Sequence, residues 1–110
     1  MTIESCMKLV DAMLPNRVED SVKLRFLGEI EGKVKVELLG ESPDGANDFN
    51  EDTPAETHLC APHPFDQIYI LYVMAMVDFV GGDTARYESG AAMFNAAYQG
   101  YGKWLKRRGA

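Results

Sequence analysis

The chain predicts an all-α fold: one four-helix, bundle-like domain over residues 1–110, with a long acidic loop at about residues 41–62 between the second and third helices. Three observations predict it. Apolar residues recur at helical spacing in four separate stretches. Capping and breaking residues stand at the ends of those stretches. The region between the second and third stretches changes character, with six acidic residues, no basic ones and three of the five prolines in residues 40–62. A length of 110 residues provides for one core and one domain.

The first helix spans roughly residues 3–13. Thr2 stands where an N-cap is needed, and Ile3, Met7, Val10 and Leu14 fall on one face. Pro15-Asn16 ends it. Glu19 or Asp20 opens the second helix, in which Val22, Phe26, Ile30, Val34 and Leu38 recur every four residues and Leu27 widens the stripe. The β-branched run Val34–Leu39 has strand character, but the four-residue spacing continues through it and favours helix. Gly28 and Gly32 weaken this helix by about 1 kcal/mol each relative to alanine, or else permit close packing.

The acidic, proline-containing stretch at 40–62 argues against a packed core there. A short extended stretch at Thr57–Ala61 fits its residue types. Pro64 then takes the first turn of the third helix, where its missing N–H costs nothing, and Asp66 adds favourable charge near the N-terminus. This helix is apolar almost all round through Val80, so it is buried on most sides, and subunit contacts are one way to bury it. Its longest apolar run, Ile68–Val77, is far short of the roughly 20 residues that span a bilayer. Gly81-Gly82 ends the third helix and Asp83 caps the fourth. There Tyr87, Ala91, Phe94, Tyr98, Tyr101 and Leu105 line one side, with the small Ala92, Ala96 and Gly100 nearby.

Charge is uneven. The formal net charge is −6, so the body should be repelled by phosphate backbones and anionic lipid. Yet Lys103, Lys106, Arg107 and Arg108 are four of the eleven basic residues, and residues 1–102 carry seven basic against all seventeen acidic ones, a balance of −10. The tip Lys103–Arg108 complements a helix dipole and also suits a charged protein interface. As a nucleic-acid contact it is weak, because few phosphates would be neutralised.

Enzyme motifs are missing: no Gly-x-Ser-x-Gly elbow, no glycine-rich phosphate loop, no cysteine beside an evident base. His58, Cys60 and His63 lie close together, with Cys6 as a further ligand type, and imidazole and thiolate suit zinc. Their spacing matches no common zinc module, and Pro62 and Pro64 restrict how they converge. Asp44, Asp48, Glu51 and Asp52 have the residue types of a calcium loop but not its order. No catalytic residue, metal ligand or cofactor is assigned. Cys6 and Cys60 show no paired-motif spacing, which fits synthesis in a reducing cytoplasm.

Three segments carry a family resemblance. Pro64-Phe65-Asp66 leads through Ile68-Tyr69 to Asp78-Phe79 and then Gly82-Asp83 and Arg86-Tyr87. Met93-Phe94-Asn95 is followed by Ala97-Tyr98-Gln99 and Tyr101. Near the start, Leu14-Pro15-Asn16 forms a turn before a helix with a Phe26-Leu27 step. Together these resemble small proteins of clostridial-type prophages encoded in the capsid and connector region. In size and helical plan such proteins are similar to the head–tail connectors, or adaptors, of long-tailed phages. The resemblance implies a virion structural protein, made in the bacterial cytoplasm, that assembles as a homo-oligomeric ring between the portal protein and a neck or tail completion protein. It implies no enzyme activity, no membrane and no specific nucleic-acid binding. Lys103, Trp104, Lys106, Arg107 and Arg108 become the portal-facing residues, and the acidic loop faces a neighbour or the DNA channel, where negative charge keeps DNA from sticking. The rival expectations are a phage morphogenesis factor that acts transiently in packaging or tail completion, and a small metal-dependent enzyme using His58, Cys60 and His63.

Overall fold

The computed structural model describes residues 1–43 and 48–109. Four helices form in the expected order: α1 (Ile3–Met13), α2 (Asp20–Lys33), α3 (Gln67–Val80) and α4 (Thr84–Arg107). The fold is all-α and bundle-like, and among the described residues no helix is long and apolar enough to cross a membrane.

Thr2 caps α1 as the sequence requires. Its hydroxyl accepts from the Ser5 N–H at 3.1 Å, and the Ser5 hydroxyl accepts from the Thr2 N–H at 3.0 Å. The next two donors of the first turn find partners elsewhere in the chain. Ile3 N–H donates to the Thr57 carbonyl at 3.0 Å and Glu4 N–H to that of Ala55 at 2.9 Å. At the other end of α1, Asn16 accepts from the Val18 N–H at 3.1 Å and donates to the Leu14 carbonyl at 2.8 Å, which fixes the turn after Pro15.

Helix α2 differs from the expected stripe. Ile30 and Val34 are buried and Phe26 and Leu38 partly so, but Val22 is exposed. A four-residue spacing outruns the 3.6-residue turn by about 40° at each step, so the apolar row drifts off the core face. The inward face is Lys23, Leu27, Ile30, Glu31 and Val34, a helical stripe that includes two charged residues. From Val34 to Leu38 the helix widens into a π-helical turn, closed by Leu39 N–H donating to the Val34 carbonyl at 3.1 Å. The helical reading of this β-branched run holds, with the hydrogen bonds shifted by one residue.

Lys23 is 3% exposed and lies 2.6 Å from Asp11 on α1 and 3.3 Å from Asp20. Burial would lower its pKa, but its hydrogen bonds to Asp11 and Asp20 outweigh that and leave it above the ordinary lysine value. The same hydrogen bond from Lys23 holds Asp11 below the usual aspartate value.

The described part of the acidic loop is not excluded from the core. Residues 48–62 form a strap over α1 and α2, and Phe49, Leu59 and Ala61 are buried in the main apolar cluster. Composition misleads here because the acidic side chains point outward while these few apolar ones point in. Gly28 makes the docking possible: a Cβ there would lie 2.9 Å from the Phe49 backbone nitrogen. The extended stretch expected at Thr57–Ala61 appears as a single antiparallel bridge between Thr2 and His58, with Leu59 N–H donating to the Met1 carbonyl at 2.9 Å.

Helix α3 begins at Gln67, three residues after Pro64, not with Pro64 in its first turn. The N–H groups of Phe65 and Asp66 fold back onto the Pro62 carbonyl at 2.8 and 3.1 Å, making a separate turn before the helix, with a cis peptide bond between His63 and Pro64. Helix α3 is the central element. It packs most extensively on α4, then on α2 and α1, so its apolar circumference is covered largely within the chain. Near its middle Ala75 meets Gly90 of α4, where a Cβ on the glycine would lie 3.3 Å from that of Ala75. Gly82, at φ 77°, makes the turn into α4. Asp83 caps α4 as expected, accepting from the Arg86 N–H at 3.1 Å.

Candidate functional site

The aromatic side of α4 lies as the sequence predicts. Phe94, Tyr101 and Leu105 are buried, and Tyr87, Ala91 and Tyr98 are half-buried. At the C-terminal end the rings of Phe65, Tyr101 and Trp104 stack, with Phe65 5.2 Å from Tyr101 and 4.8 Å from Trp104 between centroids. Phe65 reaches them because the Pro62–Asp66 turn carries it off the axis of α3. Arg108 folds over the Trp104 ring, its guanidinium carbon 4.7 Å from the centroid.

This geometry separates the five expected partner-binding residues. Trp104 and Arg108 have contacts within the chain. Lys103, Lys106 and Arg107 are exposed and, among the described residues, make no ion pair. Elsewhere Lys8, Lys23, Arg25, Lys33 and Arg86 are paired with carboxylates, and Arg17 and Lys35 make no ion pair among the described residues. Unpaired cations are thus concentrated at this end of an acidic body, and the end also has relief. A groove of about 370 Å³ runs between the π-helical turn and α4, floored by Leu38, Tyr98, Gly102 and Leu105 and flanked by Lys103 and Lys106. On its far wall Tyr98 donates to Glu37 at 3.1 Å, and Glu37 pairs with Lys33 at 3.7 Å.

A second polar centre went unseen in the sequence. Glu31 is 3% exposed, with both carboxylate oxygens engaged. One accepts from the Cys60 N–H at 2.8 Å; the other accepts from the Tyr69 hydroxyl at 2.7 Å and the Cys60 thiol at 2.9 Å. The Tyr69 oxygen in turn accepts from the Ala61 N–H at 2.9 Å. Burial, then the bond to Glu31, pushes the Cys60 thiol up to about 12, and the same two causes push the Tyr69 hydroxyl up. A thiol so held stays protonated at neutral pH and is a poor nucleophile. The cluster pins the end of the strap to α2 and α3. The available signal was positional: Lys23 and Glu31 lie four residues either side of Leu27, on the core face.

The candidate metal ligands do not converge. His58 and His63 are exposed, His63 lies 3.4 Å from Asp66, and Cys60 is turned toward Glu31. Among the described residues no three His, Cys, Asp or Glu side chains come together as a metal site. Asp44, from the calcium-like reading, lies outside the described residues.

Compared with known proteins, the chain matches no protein-family model, no curated protein and no solved structure.

Proposed function

We propose that the protein is a virion structural component, a head–tail connector that assembles as a homo-oligomeric ring between the portal and the neck or tail completion protein. The observation that carries the reading is the basic end of α4. Lys103, Lys106 and Arg107 are exposed and, among the described residues, unpaired on a chain of net charge −6. Charges that make no ion pair within the described chain and oppose its overall sign are available to a partner, and they steer association with an acidic surface. Trp104, capped by Arg108, gives this end a rigid aromatic support. The sequence resemblance to prophage connector-region proteins names the partner: the portal faces this end, and the next neck protein meets the opposite one. The reading involves no catalysis, cofactor or membrane.

The test is capture of the portal encoded nearby, at moderate salt, viewed by negative-stain electron microscopy. Ring-shaped density at one end of the portal, lost in an Arg107→Glu variant, supports the connector. Removing residues 103–110 would be a poor control, because Leu105 is buried and Trp104 half-buried. No capture, together with absence from purified virions, overturns it in favour of a factor that acts transiently in packaging or tail completion.

A further inference from the structure

The groove beside Lys103 and Lys106 has a complement elsewhere on the same chain. At the far end of α2 the strap makes a tight acidic turn. Asn50 Oδ1 accepts from the Asp52 N–H at 2.8 Å, the Thr53 N–H donates to the Asn50 carbonyl at 3.0 Å, and the Thr53 hydroxyl accepts from the Asn50 N–H at 3.0 Å. The turn is therefore set before any partner arrives. It presents Glu51 and Asp52, both exposed and in no ion pair among the described residues, followed by an exposed Pro54. The turn lies over α1 and the first half of α2, beside Met7, Asp20 and Leu24. The groove lies beside Leu38. Fourteen residues of mainly helical rise put about 20 Å between the two, too far for one chain to join them.

We propose that the groove between the π-helical turn and α4 receives the Asn50–Pro54 turn of a second copy of this chain. Glu51 and Asp52 of one copy meet Lys103 and Lys106 of the other. Pro54 covers the apolar floor, where Gly102 leaves room. The two patches are different surfaces at separated places, so each subunit uses one toward the copy before it and the other toward the copy after it. Such a contact closes into a ring when the rotation between copies allows, and otherwise extends. Arg107 does not line the groove and stays available for a different partner. The inference rests on the ring reading above and assigns that ring its two faces.

Sedimentation of the full chain at low ionic strength and high concentration tests it. The wild type is expected to rise above the monomer mass with concentration and to return to it in high salt, since exposed charge pairs are screened. Lys103→Glu/Lys106→Glu and Glu51→Lys/Asp52→Lys should each stay monomeric, because each variant's groove and turn then carry the same sign. An equimolar mixture of the two should associate again, which misfolded variants could not do. Gly102→Leu, which fills the groove without altering charge, should weaken association at least tenfold. A wild type that stays monomeric throughout, association that persists in either charge variant, or a mixture that stays monomeric while both variants retain helical circular dichroism overturns the contact. The portal capture decides separately. Capture without self-association leaves the connector and removes this contact, whereas self-association without capture keeps the contact and removes the connector.

Discussion

Two sets of charges in this molecule are treated in opposite ways. On the inward face of α2, Lys23 and Glu31 are each 3% exposed and their charged atoms have partners. At the end of α4, Lys103, Lys106 and Arg107 stand in solvent with none among the described residues. Buried charge must be matched within the fold because desolvation is costly. Exposed charge is under no such demand and can be placed for a partner. Substitutions in the first set should therefore be read in stability, and those in the second in association.

The largest effect is expected at Glu31. Replacing it with alanine leaves the Cys60 N–H, the Cys60 thiol and the Tyr69 hydroxyl without their acceptor. A loss of about 3 kcal/mol follows from stranding buried donors, seen as a fall in Tm of more than about 10 °C in thermal unfolding. Glu31→Gln keeps one acceptor but turns an amide NH2 toward donors, so it should recover only part. A Tm within about 2 °C of wild type for Glu31→Ala would mean that the strap is not pinned there.

Gly28→Ala comes next. The added Cβ meets the Phe49 nitrogen at 2.9 Å, and the strap must lift. Overpacking of this kind costs about 2 kcal/mol, while the gain in helix propensity returns about 1 kcal/mol. The net loss of about 1 kcal/mol should be accompanied by faster amide exchange in residues 48–62 than in α3. Unchanged exchange in the strap would show that Phe49 is not held by this close approach.

Lys23→Met tests the ion pair more gently, because Asp11 and Asp20 stay solvated when the cation is removed. About 1 kcal/mol is expected near neutral pH, and the pH dependence identifies the cause. Asp11 lies below its ordinary value of 3.8, so its contribution is complete above that pH and is lost as pH falls through the lowered value. Lys23 lies above its ordinary 10.5, so its contribution is complete below that pH and lost as pH rises through the raised value. The stability gap between wild type and Lys23→Met should therefore be widest between those limits and shrink as acid is added below pH 3.8. A gap independent of pH would assign the loss to packing of the lysine stem.

These residues also show what was legible in the sequence. Helix number, the caps at Thr2 and Asp83 and the buried side of α4 followed from spacing and end signals, because those are local. In α2 the same logic failed by one position. An apolar row was followed through Val22 and Phe26, whereas the core face passes through Lys23, Leu27 and Glu31, and a charged side chain gives no apolar signal. The strap was hidden for a related reason: Phe49, Leu59 and Ala61 are few among many acids, and the docking of Phe49 depends on Gly28, some twenty residues earlier. The basic end was visible from composition. That its lysines stay unpaired among the described residues while Lys8, Lys23, Arg25, Lys33 and Arg86 are matched needed the fold.

The smallest effect on stability is expected at that end, and its smallness is what makes it useful. Lys103→Glu/Lys106→Glu removes no ion pair among the described residues and alters two exposed positions, so unfolding should shift by less than about 0.5 kcal/mol. The reversal also places two acids in the final turns of α4, where the helix dipole disfavours them by a few tenths of a kcal/mol. A small loss is therefore expected, and raised salt should reduce it. A loss above about 2 kcal/mol would mean that these lysines support the fold, and the contrast between the two sets of charges would disappear. A near-silent substitution in thermal unfolding that abolishes self-association would establish the contrast directly: the matched charges hold this chain together, and the unmatched ones hold it to another.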